Sequence, residues 1–180
     1  MTVYAVIGQT LAGKDTLVRD IITSTGIKRI LTTTDRPIRE GEIDGFDYHF
    51  VDVGELDNDK YFGVREFFTI YRKEPYCYGM NDDSFNLDED SVIILDPLGV
   101  RALKDRIGSQ NVVTVYLNIE EDTLKERALK RGDSIEEVQR RLDDDRHLFK
   151  NAEIYCDIIL NEYEDSLSTM YNIIKGRTDF

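Results

Sequence analysis

The sequence predicts an α/β fold in which helices surround a mostly parallel central sheet. Short apolar runs rich in β-branched residues alternate with segments of helical periodicity along most of the 180 residues. Such alternation is typical of parallel sheets whose strands are buried on both faces. A chain of this length suits one domain with a full hydrophobic core. The alternation breaks between residues 38 and 86, where we expect an inserted subdomain.

The first strand and the first helix carry the clearest local signals. Residues 3–7 read Val-Tyr-Ala-Val-Ile and end at Gly8, as a short buried strand does. Residues 14–24 place Leu17, Val18 and Ile21 on one helical face, and Gly26 suits the helix end.

The remaining elements follow from the same two periodicities. Further strands are predicted at residues 29–33, 48–53, 91–95, 112–117 and 154–160. Further helices are predicted at residues 99–107, 120–131, 135–149 and 166–175. Residues 54–80 show a weak pattern, with some sheet expected around 67–71, and the acidic stretch 81–90 is expected to be an exposed loop.

The charge balance limits the possible partners. The formal net charge is -13, which argues against nucleic acid or an anionic membrane as a partner, because both attract a basic face. No apolar stretch approaches the ~20 residues that span a bilayer, and the amino terminus lacks a basic region typical of a secretory signal. Cys77 and Cys156 form no CxxC pair. We therefore expect reduced thiols, no zinc site and a cytoplasmic location.

A phosphate-binding loop is predicted between the first strand and the first helix. Gly8 and Gly13-Lys14 have the Walker A spacing, in the strand–loop–helix context that this motif requires. Backbone N–H groups and the helix dipole would attract the phosphates of ATP, and Lys14 would reach the β- and γ-phosphates. The predicted ATP-binding residues are Gly8, Gln9, Thr10, Leu11, Ala12, Gly13, Lys14, Asp15 and Thr16.

The metal position of this loop departs from the usual pattern. Asp15 follows Lys14 where Ser or Thr ordinarily contacts Mg²⁺, and Thr16 comes one position later. Asp15 can meet Mg²⁺ directly or through water, or the metal can be held mainly by phosphates and waters. Both possibilities stay open.

The segment 32–50 combines regularly spaced arginines, glycines, acidic residues and aromatic residues: Arg36, Arg39, Gly41, Glu42, Gly45, Asp47, Tyr48 and Phe50. These residues match the pattern S-x-x-T-T-R-x-x-R-x-G-E-x-x-G-x-D-Y-x-F. The segment therefore strongly resembles the monophosphate-binding segment of guanylate kinases. Two arginines three residues apart, with a tyrosine nearby, suit a dianionic monophosphate.

The resemblance covers nearly the whole chain. Tyr78-Gly79 fits the family's Y-G-[ST], Asp96 takes the aspartate of its D-x-Q-G-V, and residues 127–132 fit its lid motif R-L-x-x-R-G. The resemblance implies a three-layer P-loop kinase fold with a central parallel sheet, an inserted monophosphate-binding subdomain and a helical lid. The implied division is a core of residues 1–31, 91–125 and 150–180, a subdomain of about 32–86 and a lid of about 126–149.

The resemblance also implies the site residues. The catalytic residues it implies are Lys14, Arg36, Arg131 and Arg141. The monophosphate-binding residues it implies are Thr32, Arg36, Arg39, Glu42, Tyr48, Thr69, Tyr78, Met80 and Asp96. Three of these depart from the family: Thr69 stands for the glutamate nine residues before the Y-G tyrosine, Met80 stands for the serine after Y-G, and Thr32 stands for the serine before T-T-R and keeps its hydroxyl. The family's glutamate reads guanine through charge-assisted hydrogen bonds. Three alternatives stay open here: Glu66 or Glu74 replaces this glutamate, the acceptor base is not guanine, or the irregular segment 53–62 shifts the register against the family.

The predicted function is ATP-dependent phosphorylation of a nucleoside monophosphate, with GMP or dGMP as the first candidate and Mg²⁺ as the cofactor. One alternative is a kinase of another nucleotide or of ribose bisphosphate. Kinases of the ribose bisphosphate type can carry Gly-Lys-Asp in the phosphate loop, as this chain does. The other is a guanylate-kinase-like binding module without catalysis. We expect a monomer or homodimer whose partners are small nucleotides.

Overall fold

The structure, a computed structural model, describes residues 1–57, 59–85 and 88–178. The strands are β1 Val3–Gly8, β2 Lys28–Arg29, β3 Thr33–Thr34, β4 His49–Phe50, β5 Tyr61–Thr69, β6 Arg72–Asn81, β7 Ser91–Ile94, β8 Val112–Leu117 and β9 Ile158–Leu160. The helices are α1 Lys14–Thr25, α2 Pro97–Ile107, α3 Glu121–Arg131, α4 Ile135–Leu148, α5 Ala152–Tyr155 and α6 Tyr163–Thr178. Two 3₁₀ turns lie at Asp82–Ser84 and Ser109–Asn111.

The central sheet has five parallel strands in the order β2-β7-β1-β8-β9. All six residues of β1 are buried, because this strand lies in the middle with helices on both faces. Val3, Ala5 and Ile7 pack on one face, while Tyr4 and Val6 pack on the other. The predicted three-layer α/β fold is confirmed.

The two faces of this sheet carry different helices. One cluster joins β1 to α1, α3 and α6 through Leu17, Leu124 and Met170. The other joins β1 to α2 through Leu103 and receives Met80 from β6. Met80 therefore connects the core to the second sheet. Among the described residues, no helix is both long and apolar enough to cross a membrane.

The second sheet has four strands in the order β4-β3-β6-β5. Its largest part is the antiparallel hairpin of β5 and β6, in which Arg65 lies opposite Tyr78. Ile70 and Tyr71 form the turn of the hairpin. β6 also pairs antiparallel with β3, so that Thr34 lies opposite Tyr78 on its other side. Tyr78 is thus flanked by both neighbouring strands.

Several predicted elements differ from the observed ones. The strand expected at 29–33 is two strands in different sheets, because Ile30 donates to Val92 while Thr33 pairs with Gly79. The sheet expected around 67–71 contains the hairpin turn. The strand expected at 48–53 is only β4, and the one at 154–160 begins as α5. Periodicity describes burial, and short apolar runs do not reveal which sheet they join.

The acidic stretch 81–90 is only partly described. Asn81 ends β6 and its side chain accepts from the Asp83 N–H at the start of the 3₁₀ turn. Asn86 and Leu87 lie outside the described residues.

Two leucines of α3 test the core of the fold. Leu124 is fully buried, whereas Leu129 on the same helix is 66% exposed. We predict that Leu124→Ala lowers the free energy of unfolding by about 2–5 kcal/mol, because it leaves a cavity. Leu129→Ala should change it by less than about 0.5 kcal/mol. Equal losses in urea unfolding of the two variants would contradict this packing.

Candidate active site

The loop between β1 and α1 forms a cradle of backbone groups. Gly13 takes a left-handed conformation (φ 96°) directly before α1, which L side chains rarely adopt. A Cβ on Gly8 would lie 2.9 Å from the carbonyl oxygen of Leu117. The Lys14 Nζ group donates to the carbonyls of Gly8 (2.8 Å) and Gln9 (2.9 Å). The lysine is therefore held by its own loop, ready for an anion.

Two side chains from the helices α3 and α4 hold this loop from outside. Arg127 donates through Nη1 to the carbonyls of Leu11 (3.0 Å) and Ala12 (2.7 Å). Leu11 has a φ of 66°, which is a strained conformation for a bulky residue. The two hydrogen bonds from Arg127 hold this peptide in place. Asp145 accepts from the Thr10 N–H at 2.6 Å.

Burial and two nearby carboxylates act in opposite directions on the pKa of Lys14, and burial has the larger effect. Burial lowers the pKa of the Lys14 ammonium, while the carboxylates of Asp145 and Asp15 raise it. Burial raises the pKa of Asp145 in turn, although its hydrogen bond from Thr10 acts in the opposite direction. The Asp145 carboxylate thus accepts a hydrogen bond from a loop N–H group that could otherwise bind a phosphate oxygen.

Arg36 is the centre of the second group of site residues. Its side chain is 4% exposed, and its guanidinium donates to both carboxylate oxygens of Glu42, at 2.9 and 2.8 Å. It also donates to the Tyr78 hydroxyl (2.8 Å) and the Pro37 carbonyl (2.7 Å). Burial alone would lower the pKa of Arg36, but Glu42 and Tyr78 raise it above its ordinary value. The guanidinium is permanently charged and fixed in place.

Aromatic rings surround this guanidinium. Its central carbon lies 5.4 Å from the ring centre of Tyr48 and 5.5 Å from that of Phe50. Tyr48 also meets the Tyr78 ring edge-on at 5.8 Å. Burial raises the pKa of Tyr48, so its hydroxyl stays a proton donor at neutral pH. Arg39 lies beside this group on the surface, with its backbone N–H on Glu42.

A cavity of about 780 Å³ joins these two groups. Its wall includes Lys14 and Asp15 from the loop and Arg36, Arg39, Tyr48 and Tyr78 from the second sheet. Thr32, Thr69, Met80, Asp96 and Arg141 line the same cavity. The structure therefore brings most of the predicted site residues to one place, at the carboxyl ends of β1 and β7, where parallel sheets bind ligands.

Two arginines of α4, Arg140 and Arg141, share one carboxylate. Glu137, 5% exposed, accepts from Arg140 through both oxygens and from Arg141 at 2.7 Å. It also accepts from the Ile70 N–H at the hairpin turn (3.1 Å). Burial would raise the pKa of Glu137, but these donors lower it to about 2. Glu137 thus links the helix α4, its arginines and the tip of the hairpin.

Arg131 lies outside the main cavity, whereas Asp15 and Thr69 line it but have partners of their own. Arg131 is 61% exposed beside Asp133 and lines an adjoining cavity of about 380 Å³ together with Arg39 and Arg141. Asp15 pairs with Arg29 at 3.1 Å. Thr69 lies next to the hairpin turn, where its hydroxyl accepts from the Tyr71 N–H.

Four residues of the site were not among the predicted ones. These are Arg65, Arg127, Glu137 and Asp145. Arg127 is the first residue of the lid motif, so the sequence does contain a signal that could have identified it. Nothing in the local pattern singles out the other three, because their roles depend on contacts between residues 31 to 135 positions apart in the chain.

Comparisons with known proteins point to one family. A family model described as Guanylate kinase matches residues 1–177. The guanylate kinase of Symbiobacterium thermophilum is 27% identical over 164 residues, which cover 87% of this chain and 76% of that protein. The guanylate kinase of Sulfurimonas denitrificans is 29% identical over 165 residues, covering 86% and 77%.

A solved structure shares the fold. The crystal structure of guanylate kinase from Anaplasma phagocytophilum aligns with a TM-score of 0.67 over 98% of this chain and 85% of that one. Only 18% of the aligned residues are identical, so this likeness concerns the fold.

The shared carboxylate of α4 makes a pH-dependent contribution to stability. Because the pKa of Glu137 falls from 4.5 to about 2 on folding, its stabilisation is present at neutral pH and disappears as the pH falls through this range. We predict that Glu137→Gln lowers the free energy of unfolding at pH 7 by roughly 1–3 kcal/mol, and that the difference shrinks between pH 4.5 and 2.

The neighbouring residue supplies the control. Glu136 is exposed on the same helix, and Glu136→Gln should behave like the unmodified protein throughout. A difference for Glu137→Gln that stays constant with pH in denaturant titrations would contradict the ion-pair role.

Proposed function

The chain belongs to the guanylate kinase family of nucleoside monophosphate kinases, and on that premise we propose that it transfers the γ-phosphoryl group of ATP to GMP or dGMP. The observation that supports this most is the single cavity that Lys14 and the Arg36 group line together. A donor phosphate on the loop and an acceptor phosphate on the arginines would face each other across it. Such positioning, with charge neutralisation, is most of what phosphoryl transfer requires.

The donor side has the groups that a triphosphate needs. The N–H groups at the start of α1, the helix dipole and Lys14 all favour phosphate oxygens. Lys14 would exchange its bonds to the Gly8 and Gln9 carbonyls for bonds to the β- and γ-phosphates. Asp145 would leave the Thr10 N–H at the same time, because its carboxylate competes with phosphate for this donor.

The acceptor side keeps donors available even though Arg36 is heavily bonded. The guanidinium has five N–H groups, and four of them are used on Tyr78, Pro37 and Glu42. Within the described part of the chain, one N–H of Nη2 has no other partner and would be available to a phosphate oxygen. The Tyr78 hydroxyl accepts from Arg36 and so can donate its own proton, while Arg39 supplies a second cation. Glu42 would act by holding Arg36 in this orientation.

The helices α3 and α4 would act as the lid. Arg141 already lines the main cavity, and Arg131 lines the adjoining one. On closure both would reach the equatorial oxygens of the transferred group. Closure also excludes water, which would otherwise accept the phosphoryl group. We propose the subdomain of residues 32–86 and the lid of 126–149 as the parts that move against the core.

Magnesium fits this site as a mostly hydrated ion. Asp15 offers one carboxylate at the loop, half-exposed and partly engaged by Arg29, and Mg²⁺ ordinarily keeps several waters beside one or two carboxylates and the phosphates. Asp15 would hold it directly or through water. When bound, the ion would neutralise charge on the β- and γ-phosphates.

The cellular setting is part of the same proposal. The acidic composition and two free, half-buried cysteines agree with a cytoplasmic enzyme whose partners are small nucleotides rather than nucleic acid or membrane. A monomer or a homodimer would serve this reaction.

A substrate panel tests the proposed reaction. The purified protein is incubated with Mg²⁺-ATP and, separately, with GMP, dGMP, AMP, CMP, UMP, dTMP and ribose bisphosphate, and ADP release is followed. We predict turnover of GMP or dGMP above the others, and a loss of at least about 100-fold in kcat for Lys14→Met. Turnover of none of the nucleotides would contradict the proposal, and turnover of ribose bisphosphate alone would replace it.

A further inference from the structure

Arg65, on β5, lines the main cavity together with Arg36 and Arg39. Its side chain is 35% exposed and its Nε donates to Asp96 Oδ2 at 3.1 Å. Nη1 and Nη2 make no hydrogen bond to any residue within the described ranges. Because a guanidinium has four N–H groups on these two nitrogens, Arg65 presents a fork of donors fixed at one end by Asp96.

Asp96 is fixed as well. Its side chain is 11% exposed, and Oδ1 caps α2 by accepting from the Gly99 N–H at 2.5 Å. Each carboxylate oxygen has a second lone pair, so Asp96 can still accept from a ligand. The cavity therefore has an ordered pair of groups, with donors on Arg65 and acceptors on Asp96 side by side.

The position of this pair suits the base of the acceptor. Arg65 lies opposite Tyr78 in the hairpin, and the Tyr78 hydroxyl bonds to Arg36, which would hold the phosphate. Met80, 1% exposed and two residues after Tyr78 on β6, lines the same cavity and offers an apolar surface. A nucleotide with its phosphate on Arg36 would extend its base toward Met80, Arg65 and Asp96.

We propose that Arg65 is a specificity residue that reads the 6-oxo edge of the acceptor purine, an inference that rests on the function proposed above. The terminal N–H groups of Arg65 donate to O6 and N7, as arginine does to guanine elsewhere. Asp96 accepts from the adjacent N1–H. Adenine places an amino group where O6 would be and has no N1–H, so both contacts are lost. A pyrimidine has no N7 to complete the fork.

This assignment explains how a guanine site can exist without a glutamate at position 69. Thr69 lies beside the hairpin turn, whereas Arg65 lies four residues earlier on β5, opposite Tyr78. In this chain the donors to O6 and N7 come from Arg65, and the acceptor for N1–H is Asp96.

The experiment compares Arg65→Met with Arg72→Met. Arg72 belongs to the same hairpin but packs on the Tyr76 ring at 4.5 Å and lines neither described cavity. Steady-state kinetics are measured for GMP, IMP, 6-thio-GMP and AMP. We expect Arg65→Met to lower kcat/KM for GMP roughly 10- to 100-fold, with KM for ATP unchanged. Arg72→Met should keep the unmodified kinetics.

The analogues separate base reading from a structural role. Replacing O6 by sulfur should lower kcat/KM in the unmodified enzyme and have little further effect in Arg65→Met. The GMP-to-IMP ratio should stay the same, because IMP keeps O6, N1–H and N7. An equal loss on all four acceptors, or a 6-thio effect that is the same with and without Arg65, would overturn the inference. If the unmodified enzyme phosphorylates none of the acceptors, the proposed function fails instead.

Discussion

The bidentate ion pair between Arg36 and Glu42 is the contact on which the acceptor side of the site depends. A guanidinium that is 4% exposed would be costly to keep in the protein without a partner. Glu42, the Tyr78 hydroxyl and the Pro37 carbonyl satisfy four of its five N–H groups. These bonds also connect the loop 35–48 to β6. The orientation of Arg36 is therefore set before any phosphate arrives.

Carboxylates also lie beside cations on the donor side of the site and in the helix α4. The chain has a net charge of -13, yet several cations line one cavity, and most of them lie beside a carboxylate or a carbonyl. Glu137 holds Arg140 and Arg141, while Asp145 offsets part of the burial that lowers the pKa of Lys14. Nucleotide phosphates would replace some of these partners rather than meet bare cations. In the proposed mechanism, the contacts of α4 to Thr10 and Ile70 would change when substrate binds, which would couple closure to binding.

Much of the core was predictable, and much of the site's arrangement was not. The strand β1, the glycine loop and α1 depend on neighbouring residues, so the local pattern of residues 3–24 was sufficient. The fate of residues 29–33 depends on Val92 and Gly79, which lie more than 40 positions away. The hairpin register likewise depends on distant pairing, and it places Arg65 rather than Thr69 opposite Tyr78. Glu137 and Asp145 look like ordinary charges on a helix surface until the helix is packed against the hairpin and the loop.

The central claim is that carboxylates hold the phosphate-binding cations in position, and a double-mutant cycle on Arg36 and Glu42 tests it most directly. The dissociation constant of GMP is measured by calorimetry for the unmodified protein, Arg36→Met, Glu42→Gln and the double variant. If Glu42 acts through Arg36, its loss should have little effect once Arg36 is gone, giving a coupling energy of about 1 kcal/mol or more. Additive effects of the two substitutions would contradict the account.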